Sequence, residues 1–291
     1  MKALTSATAA VEVALQLAGI GPGDEVITSA QSFFTVLNMI VKVGATPVFV
    51  DCDLVTRNID LAQVEAAITP RTKAIMPTHW PGSLVDMDAL YALAQRRGLR
   101  VIEDAALVMG SQWNGRNVGA IGDLVDVQLS SEQEHDDDRG RRARGQRRTP
   151  RPSASTRCAS TASPIVADRT RDVAFPGGKF NLPDVNARIG VAQLARLPAF
   201  LATRRALAER YFERFATDPP CVLPPRPRAT ATASRGTCSA CCCRLPRMAI
   251  SRQAVPRRAR RARHRHRRIV RGAAPVHARP PLRRTAKAIF R

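Results

Sequence analysis

The stretch RVIEDAALVMG, residues 100–110, is the part of the sequence that decides the fold. Its first residues, Arg100 to Ile102, finish a short apolar run that is typical of a buried strand. Glu103 and Asp104 follow at once. A carboxylate at the carboxyl end of a strand in an α/β sheet lies where ligands bind, so Asp104 is a candidate site residue. The alternative is that Asp104 caps the start of a following helix, since aspartate is a favoured cap.

Strands and helices alternate along the sequence before this stretch. Apolar runs bounded by Gly and Pro predict strands, and segments with an apolar face repeating every three to four residues predict helices. This alternation predicts an α/β fold with a mostly parallel sheet that is covered on both faces. Helices are predicted over 5–18, 29–41, 61–68 and 87–97, and strands within 19–28, 44–53, 72–77 and 100–103.

The first predicted helix opens on small residues. Ser6 or Thr8 can cap it, and the sequence TSATAA keeps the turn free of bulky side chains. The backbone N–H groups at such a helix start suit a phosphate. By itself this is weak support for a binding site, because most such turns are only caps.

Charge is spread very unevenly. The chain of 291 residues has a formal net charge of +22, but residues 1–130 hold 9 basic and 13 acidic residues. Residues 224–291 hold 20 basic residues and no acidic one. A charge of this size points to nucleic acid. Because the tail carries nearly all of the excess, any nucleic-acid-binding arm would be confined to 224–291.

The sequence gives few signs of a membrane, a secreted fold or a metal. No apolar run is long enough to span a bilayer, and the first residues lack the basic-then-apolar pattern of a signal peptide. Cysteines crowd into 238–243 in a spacing that fits neither a disulfide framework nor a four-ligand zinc site. We therefore expect a cytoplasmic protein without a metal.

Several motifs occur together in one order and spacing that resembles the DegT/StrS-type aminotransferases. The resemblance covers about residues 3–127 and 165–223. It implies the large domain of a fold type I enzyme that uses pyridoxal phosphate. It also implies a homodimer that aminates nucleotide-linked keto-sugars, in nucleotide-sugar biosynthesis, with an amino acid as donor. The motifs are SATAAVEVAL, GIGPGDEVI, GATPVFVD, ITPRTKAIMPTHWPG, DMDAL, VIEDAA and GGKFNLPDVNARIGVAQLARL.

The same resemblance implies site residues. Asp104 would keep the pyridine nitrogen of the cofactor protonated, which preserves the ring as an electron sink. Thr8 and Ala9 would give backbone amides to the cofactor phosphate. Phe33 would stack on the ring, although ordinary core packing is its alternative. Asn181 would reach the phosphate of a neighbouring subunit.

Two further positions are open. His79 would lie near the site by analogy, but a satisfied structural histidine is an equal alternative. Leu107 stands where the family commonly has glutamine, and its apolar side chain would remove a hydrogen bond near the ring hydroxyl.

The sequence departs from the family in three places. The family normally has about fifty more residues before the phosphate turn, so we expect Met1 to be either a truncated or a misassigned start. From about 128 to 164 the family pattern vanishes, and no lysine occurs between positions 74 and 178, where the lysine that holds the cofactor covalently is expected. After about 224 the sequence is rich in Arg, Pro and Ala.

A shifted reading frame explains the second and third departures. One base forward, the codons of residues 132–135 can read Asn-Lys-Asn, so the expected lysine lies across Gln133 and Glu134. The tail residues 264–277 can likewise read as a late substrate-side motif. In this interpretation the many arginines of the tail result from the shifted reading frame. Nucleic-acid binding is then the weaker alternative, since only Phe290 offers an aromatic ring for stacking after 224.

These inferences divide the chain into four parts. Residues 1–127 are predicted to form the cofactor-binding large domain and 165–223 the rest of that domain with a linking helix. The out-of-frame segments 128–164 and 224–291 lack periodic apolar faces and cannot offset the entropy of ordering, so we expect them, and with them the small domain, to be disordered. The predicted function is a sugar aminotransferase by ancestry that is inactive as written.

Overall fold

The computed structural model describes residues 2–80, 82–128 and 177–214, and the backbone of 221–222, 231–232 and 242–243. Residues 129–164, with Gln133 and Glu134, and most of 224–291 lie outside the described residues, so the disorder expected there stays a prediction. The helices are α1 Ala7–Leu17, α2 Phe34–Lys42, α3 Leu61–Ala66, α4 Met87–Arg97 and α5 Asp184–Arg214. The strands are β1 Glu25–Ser29, β2 Thr46–Val50, β3 Thr72–Met76, β4 Arg100–Asp104, β5 Gln112–Trp113, β6 Arg116–Asn117, β7 Leu124–Asp126, β8 Cys221–Val222, β9 Ala231–Thr232 and β10 Cys242–Cys243.

Five strands form the central sheet, in the order β2-β1-β3-β4-β7. All of its pairings are parallel, and Ile27 of β1 lies between Val48 of β2 and Ile75 of β3. Parallel neighbours need a crossover connection, which α2, α3 and α4 supply. The predicted α/β fold with a mostly parallel sheet is confirmed.

Helices cover both faces of the sheet. Successive side chains of a strand point to opposite faces, so Val26 packs with α1 and α2 while the next residue, Ile27, packs with α3 and α4. On β4, Val101 belongs to the α3–α4 face and Ile102 to the α1–α2 face. By the same alternation Glu103 faces α3 and α4, and Asp104 faces α1 and α2.

Capping residues decide where the helices begin. The side chain of Asp86 accepts a hydrogen bond from the amide of Ala89 at 3.1 Å and starts α4. Gly98, with a φ of 66°, ends it, and α4 has the predicted bounds. For α1 the two predicted caps resolve in favour of Ser6, whose hydroxyl accepts from the amide of Ala9 at 3.0 Å.

One local prediction and one alternative were wrong. The second helix begins at Phe34 and not at Ser29, because Ser29 continues β1 and the amide of Ala30 still donates to the carbonyl of Val50. Asp104 does not cap a helix, since residues 105–110 form turns. Its Oδ1 accepts instead from the amide of Ala106 at 3.2 Å.

The chain divides into two compact units by its internal contacts. The first includes residues 1–214 together with β9, which pairs with β5. The second includes the antiparallel pair of β8 and β10. The predicted domain boundaries at 127/128, 164/165 and 223/224 stay predictions. None of the helices in the described ranges combines the length and the apolar character needed to cross a membrane.

Candidate active site

The carboxyl edge of the sheet, where the parallel strands end, gathers the predicted site residues. Asp104 is the last residue of β4. Helix α1 ends at Leu17, and a short loop then leads to the start of β1 at the opposite edge. Because α1 has eleven residues, about 16 Å of rise, its first turn returns to the carboxyl edge. It does so on the face toward which Asp104 points.

Asp104 is buried, with 8% of its surface exposed. Its Oδ2 accepts from the hydroxyl of Thr78 at 3.3 Å, and its Oδ1 accepts from the amide of Ala106. Burial raises the pKa of Asp104 above its usual range, while the Ala106 amide, a positive charge on the nearby His79 and the Thr78 hydroxyl each act to lower it. The carboxylate is thus held in place by two donors at a site with little water. A protonated nitrogen in the ring of a ligand would compensate for the negative charge of Asp104.

The first turn of α1 offers amides at the same edge. The first N–H groups of a helix have no partner inside it. The Ser6 hydroxyl already accepts a hydrogen bond from the amide of Ala9. The amide of Thr8 lies one residue nearer the start of the helix. An anion here would bind beside the positive end of the helix dipole. The predicted role of Thr8 and Ala9 stays a prediction.

Phe33 lies in the loop between β1 and α2, again at the carboxyl edge. Its side chain is 48% exposed, and its ring centroid is 4.1 Å from that of Phe34. The alternative of ordinary core packing is therefore wrong. A half-exposed aromatic ring at this edge is available for stacking on a flat ligand.

Asn181 lies beside the segment that leads into α1. It forms an isolated antiparallel bridge with Leu4, and the amide of Thr5 donates to the carbonyl of Phe180 at 2.7 Å. Among the described residues, Oδ1 of Asn181 is buried without a hydrogen-bond partner. Native proteins rarely leave such an atom unpaired, so a polar group from outside these residues is expected here. The predicted contact with a neighbouring subunit stays a prediction.

His79 turns away from Asp104. Its Nε2 lies 2.9 Å from Oε2 of Glu103, and its Nδ1 accepts from the amide of Val85 at 3.3 Å. Since Nδ1 accepts, the ring proton lies on Nε2 and is donated to Glu103. The hydroxyl of Tyr91 donates to Oε1 of the same carboxylate, and burial raises the pKa of Tyr91. The structure favours the structural alternative for His79.

Two site residues were missed by the sequence analysis. Thr78 follows β3 and donates to Asp104, and Ser32 lies 3.0 Å from the Thr78 hydroxyl oxygen. A polar residue directly after a predicted strand was the available signal for Thr78. Leu107, which was singled out, is half-buried in the turns after β4 and has no polar side-chain atom to contribute.

A sequence profile matches most of the chain. The profile of the DegT/DnrJ/EryC1/StrS aminotransferase family matches residues 2–127 and 153–287. The second range is longer than the 165–223 expected from the motifs and includes most of the arginine-rich tail. The gap between the two ranges, 128–152, lies within the segment of about 128–164 in which the motifs disappear.

Solved structures resemble the chain over most of its length. DesV from S. venezuelae is 26% identical, with a TM-score of 0.74, over 96% of this chain and 73% of DesV. The aminotransferase TlmJ from Streptoalloteichus hindustanus is 28% identical, with a TM-score of 0.73, over 95% and 73% of the two chains. Spr1654 from Streptococcus pneumoniae, described as a sugar aminotransferase and solved in a PMP-form, is 26% identical with a TM-score of 0.70. That match covers 80% of this chain and 65% of Spr1654.

Proposed function

Because this chain belongs to the DegT/DnrJ/EryC1/StrS aminotransferase family, we propose that it derives from a sugar aminotransferase and keeps a pyridoxal phosphate site that lacks its lysine. The reaction of the intact enzyme would move an amino group from an amino-acid donor to a nucleotide-linked keto-sugar. The observation that carries the proposal is the buried Asp104 carboxylate, set on the same face and edge of the sheet as the start of α1.

The residues at this edge fit the cofactor at both of its ends. Bound pyridoxal phosphate supplies an electron sink for the carbanion formed during transamination. Asp104 would hold a proton at the ring nitrogen, and burial strengthens that charge pair by excluding water. Phe33 would lie against one face of the ring.

The phosphate would take the other end of the site. The first turn of α1 supplies the amide of Thr8 and a dipole of the right sign, and the amide of Ala9 would join it by leaving the Ser6 hydroxyl. The amide oxygen of Asn181 is buried without a partner among the described residues, and a polar group of a neighbouring subunit would satisfy it. In a homodimer, which we also propose, Asn181 would serve the phosphate of the neighbouring subunit.

Among the described residues, no lysine replaces the missing one. No lysine occurs between positions 74 and 178. Lys42 pairs with Glu12 at 2.8 Å, and Lys179 is exposed on the motif that contains Asn181. Without an amine near the reacting carbon, the covalent link to the cofactor and the proton transfer that follows are lost. The unmatched range 128–152 supports this proposal.

The remaining inferences belong to the same proposal. A cytoplasmic location agrees with nucleotide-linked substrates. The alternative function, a basic nucleic-acid binder, depends on residues 224–291, and no contact among the described residues favours it.

A cofactor titration tests the proposal. Pyridoxal phosphate is added to the purified chain, and binding is followed by the cofactor's absorbance and by equilibrium dialysis. Asp104→Asn should weaken binding by about tenfold or more, since a hydrogen bond to a charged group contributes roughly 1.5–3 kcal/mol. Asp51→Asn, which removes an exposed carboxylate after β2, is the matched control and should leave the affinity unchanged. Equal affinities for the wild type and Asp104→Asn would refute the proposal.

A further inference from the structure

We propose that Thr78, supported by Ser32, is the positioning residue that orients the Asp104 carboxylate toward the cofactor, an inference that rests on the proposed function. The observation behind it is a chain of hydroxyl groups. Thr78 Oγ1 lies 3.3 Å from Oδ2 of Asp104, and Ser32 Oγ lies 3.0 Å from Thr78 Oγ1. The family resemblance assigns no role to either hydroxyl.

Backbone register places Thr78 beside Asp104. The two residues form a parallel bridge beyond the end of β3, in which the amide of His79 donates to the Asp104 carbonyl at 3.1 Å. The amide of Asp104 donates in turn to the carbonyl of Pro77 at 2.9 Å. Paired residues on neighbouring parallel strands point to the same face. Thr78 is 2% exposed, so no water competes for its hydroxyl.

The proton count fixes the direction of the hydrogen bonds. An ionised carboxylate only accepts, so Thr78 must donate its single hydroxyl proton to Asp104. The Thr78 oxygen is then left to accept, and the Ser32 hydroxyl is the donor within reach. Ser32 gives up, in doing so, the hydrogen bond that it can make to the carbonyl of Phe33 at 3.2 Å.

The same chain accommodates a protonated Asp104 by reversing. The carboxyl proton would be donated to Thr78, whose proton would pass to the Ser32 oxygen, and Ser32 would donate to the Phe33 carbonyl. The ionisation of Asp104 therefore determines whether the Ser32 hydroxyl donates to Thr78 or to the carbonyl of Phe33. This links the buried carboxylate to the loop that carries Phe33, the proposed stacking residue.

Two other ionisable groups adjoin Asp104 and have to be separated from the effect of the hydroxyls. His79 follows Thr78, and a positive charge on its ring acts to lower the pKa of Asp104. Asp126 of β7 is its register partner on the other side and is buried. Neither side chain is altered by changing Thr78 or Ser32, so the variants isolate the contribution of the hydroxyls.

The test measures the Asp104 carboxyl itself in the chain without cofactor. Aspartate labelled with ¹³C at the side-chain carboxyl is followed by NMR through a pH titration, and the Asp104 signal is identified by its loss in Asp104→Asn. Thr78→Val keeps the shape but removes the hydroxyl, and should raise the pKa of Asp104. Thr78→Ser keeps the hydroxyl and should restore the wild-type titration. Ser32→Ala should raise the pKa of Asp104 by less. Because Ser32 is half-buried, this variant keeps the test available if Thr78→Val fails to fold.

Pyridoxal phosphate affinity supplies the second readout. Thr78→Val should weaken binding by about tenfold, as expected for one hydrogen bond to a charged group, and Thr78→Ser should not. An Asp104 titration that is identical in wild type and Thr78→Val, or that Thr78→Ser fails to restore, overturns the inference. The titrations can behave as expected although neither the wild type nor any variant binds the cofactor. In that case the proposed function fails, and the positioning of Asp104 by Thr78 stands.

Discussion

His79 and Glu103 form a fully buried pair, with Nε2 of His79 lying 2.9 Å from Oε2 of Glu103 and neither side chain exposed. Glu103 precedes Asp104 but points to the α3–α4 face, where the hydroxyl of Tyr91 donates to its other oxygen. Two consecutive carboxylates therefore have different tasks. Glu103 ties β4 to α4 and to the chain that follows β3, while Asp104 faces the proposed cofactor.

The Glu103 network should matter to folding more than any exposed ion pair. Glu103→Gln leaves one acceptor oxygen for two donors, the buried His79 and the half-buried Tyr91, and breaking such a network costs about 3 kcal/mol or more. We expect urea unfolding to show a loss of this size, and a loss of only about 1 kcal/mol for Tyr91→Phe, which removes one donor. A change for Glu103→Gln that is no larger than for Tyr91→Phe would contradict this assignment.

Asp104 should lower stability while it serves binding. Burial raises its pKa in the folded state, so the stability that it contributes is present at low pH and lost as pH rises through the raised value. Asp104→Asn removes this penalty, and its amide can donate to Thr78 and accept from Ala106. We expect thermal unfolding at neutral pH to show a gain of about 1 kcal/mol, together with the loss of cofactor affinity. A destabilised Asp104→Asn would show that the carboxylate is structural.

The two neighbouring phenylalanines should separate binding from stability. Phe33→Ala removes a 48% exposed ring and should change stability by less than about 0.5 kcal/mol. It should weaken pyridoxal phosphate binding by roughly tenfold, the upper range of an aromatic stacking contact. Phe34→Ala removes a 63% exposed ring and is the matched control. Equal effects of the two variants on affinity would rule out a stacking role for Phe33.

Acid should destabilise the fold in part through Glu25. Its Oε2 accepts from the Thr69 hydroxyl at 2.5 Å and its Oε1 from Nε of Arg71 at 3.0 Å. The Thr69 hydrogen bond, and then Arg71, lower the pKa of Glu25. The stability that it adds is therefore present above the ordinary pKa of a glutamate and lost as pH falls through the lowered value. Between about pH 6 and pH 3 the unfolding temperature of Glu25→Gln should fall less than that of the wild type. If the unfolding temperatures of Glu25→Gln and of the wild type fall equally over this range, Glu25 does not contribute to the loss of stability in acid.

Local signals in the sequence were sufficient for the order of the elements from α1 to β4 and for several ends of helices. Asp86 and Gly98 define α4 because caps act within one turn of the chain. The start of α2 was predicted too early, since nothing in residues 29–33 distinguishes the end of a strand from the beginning of a helix. Only the pairing with β2 settles it.

The site could be predicted only where one residue carries the signal. Asp104 stands out by its position after a strand, and Phe33 by its resemblance to a family motif. Thr78 meets Asp104 through the register of neighbouring strands, and Ser32 in turn contacts Thr78. A single sequence does not encode this register in a readable form. The opposite orientations of Glu103 and Asp104 follow from the strand period of two, but the partners that each one meets depend on tertiary packing.

Borohydride reduction of the chain with bound pyridoxal phosphate tests the central claim most directly. The cofactor is added, the sample is reduced and dialysed, and peptides are mapped by mass spectrometry. We predict that the cofactor is bound but leaves on dialysis, with no lysine modified in stoichiometric amount. A pyridoxyl group found in stoichiometric amount on Lys179 would contradict the claim that this chain has a cofactor site without a functional lysine.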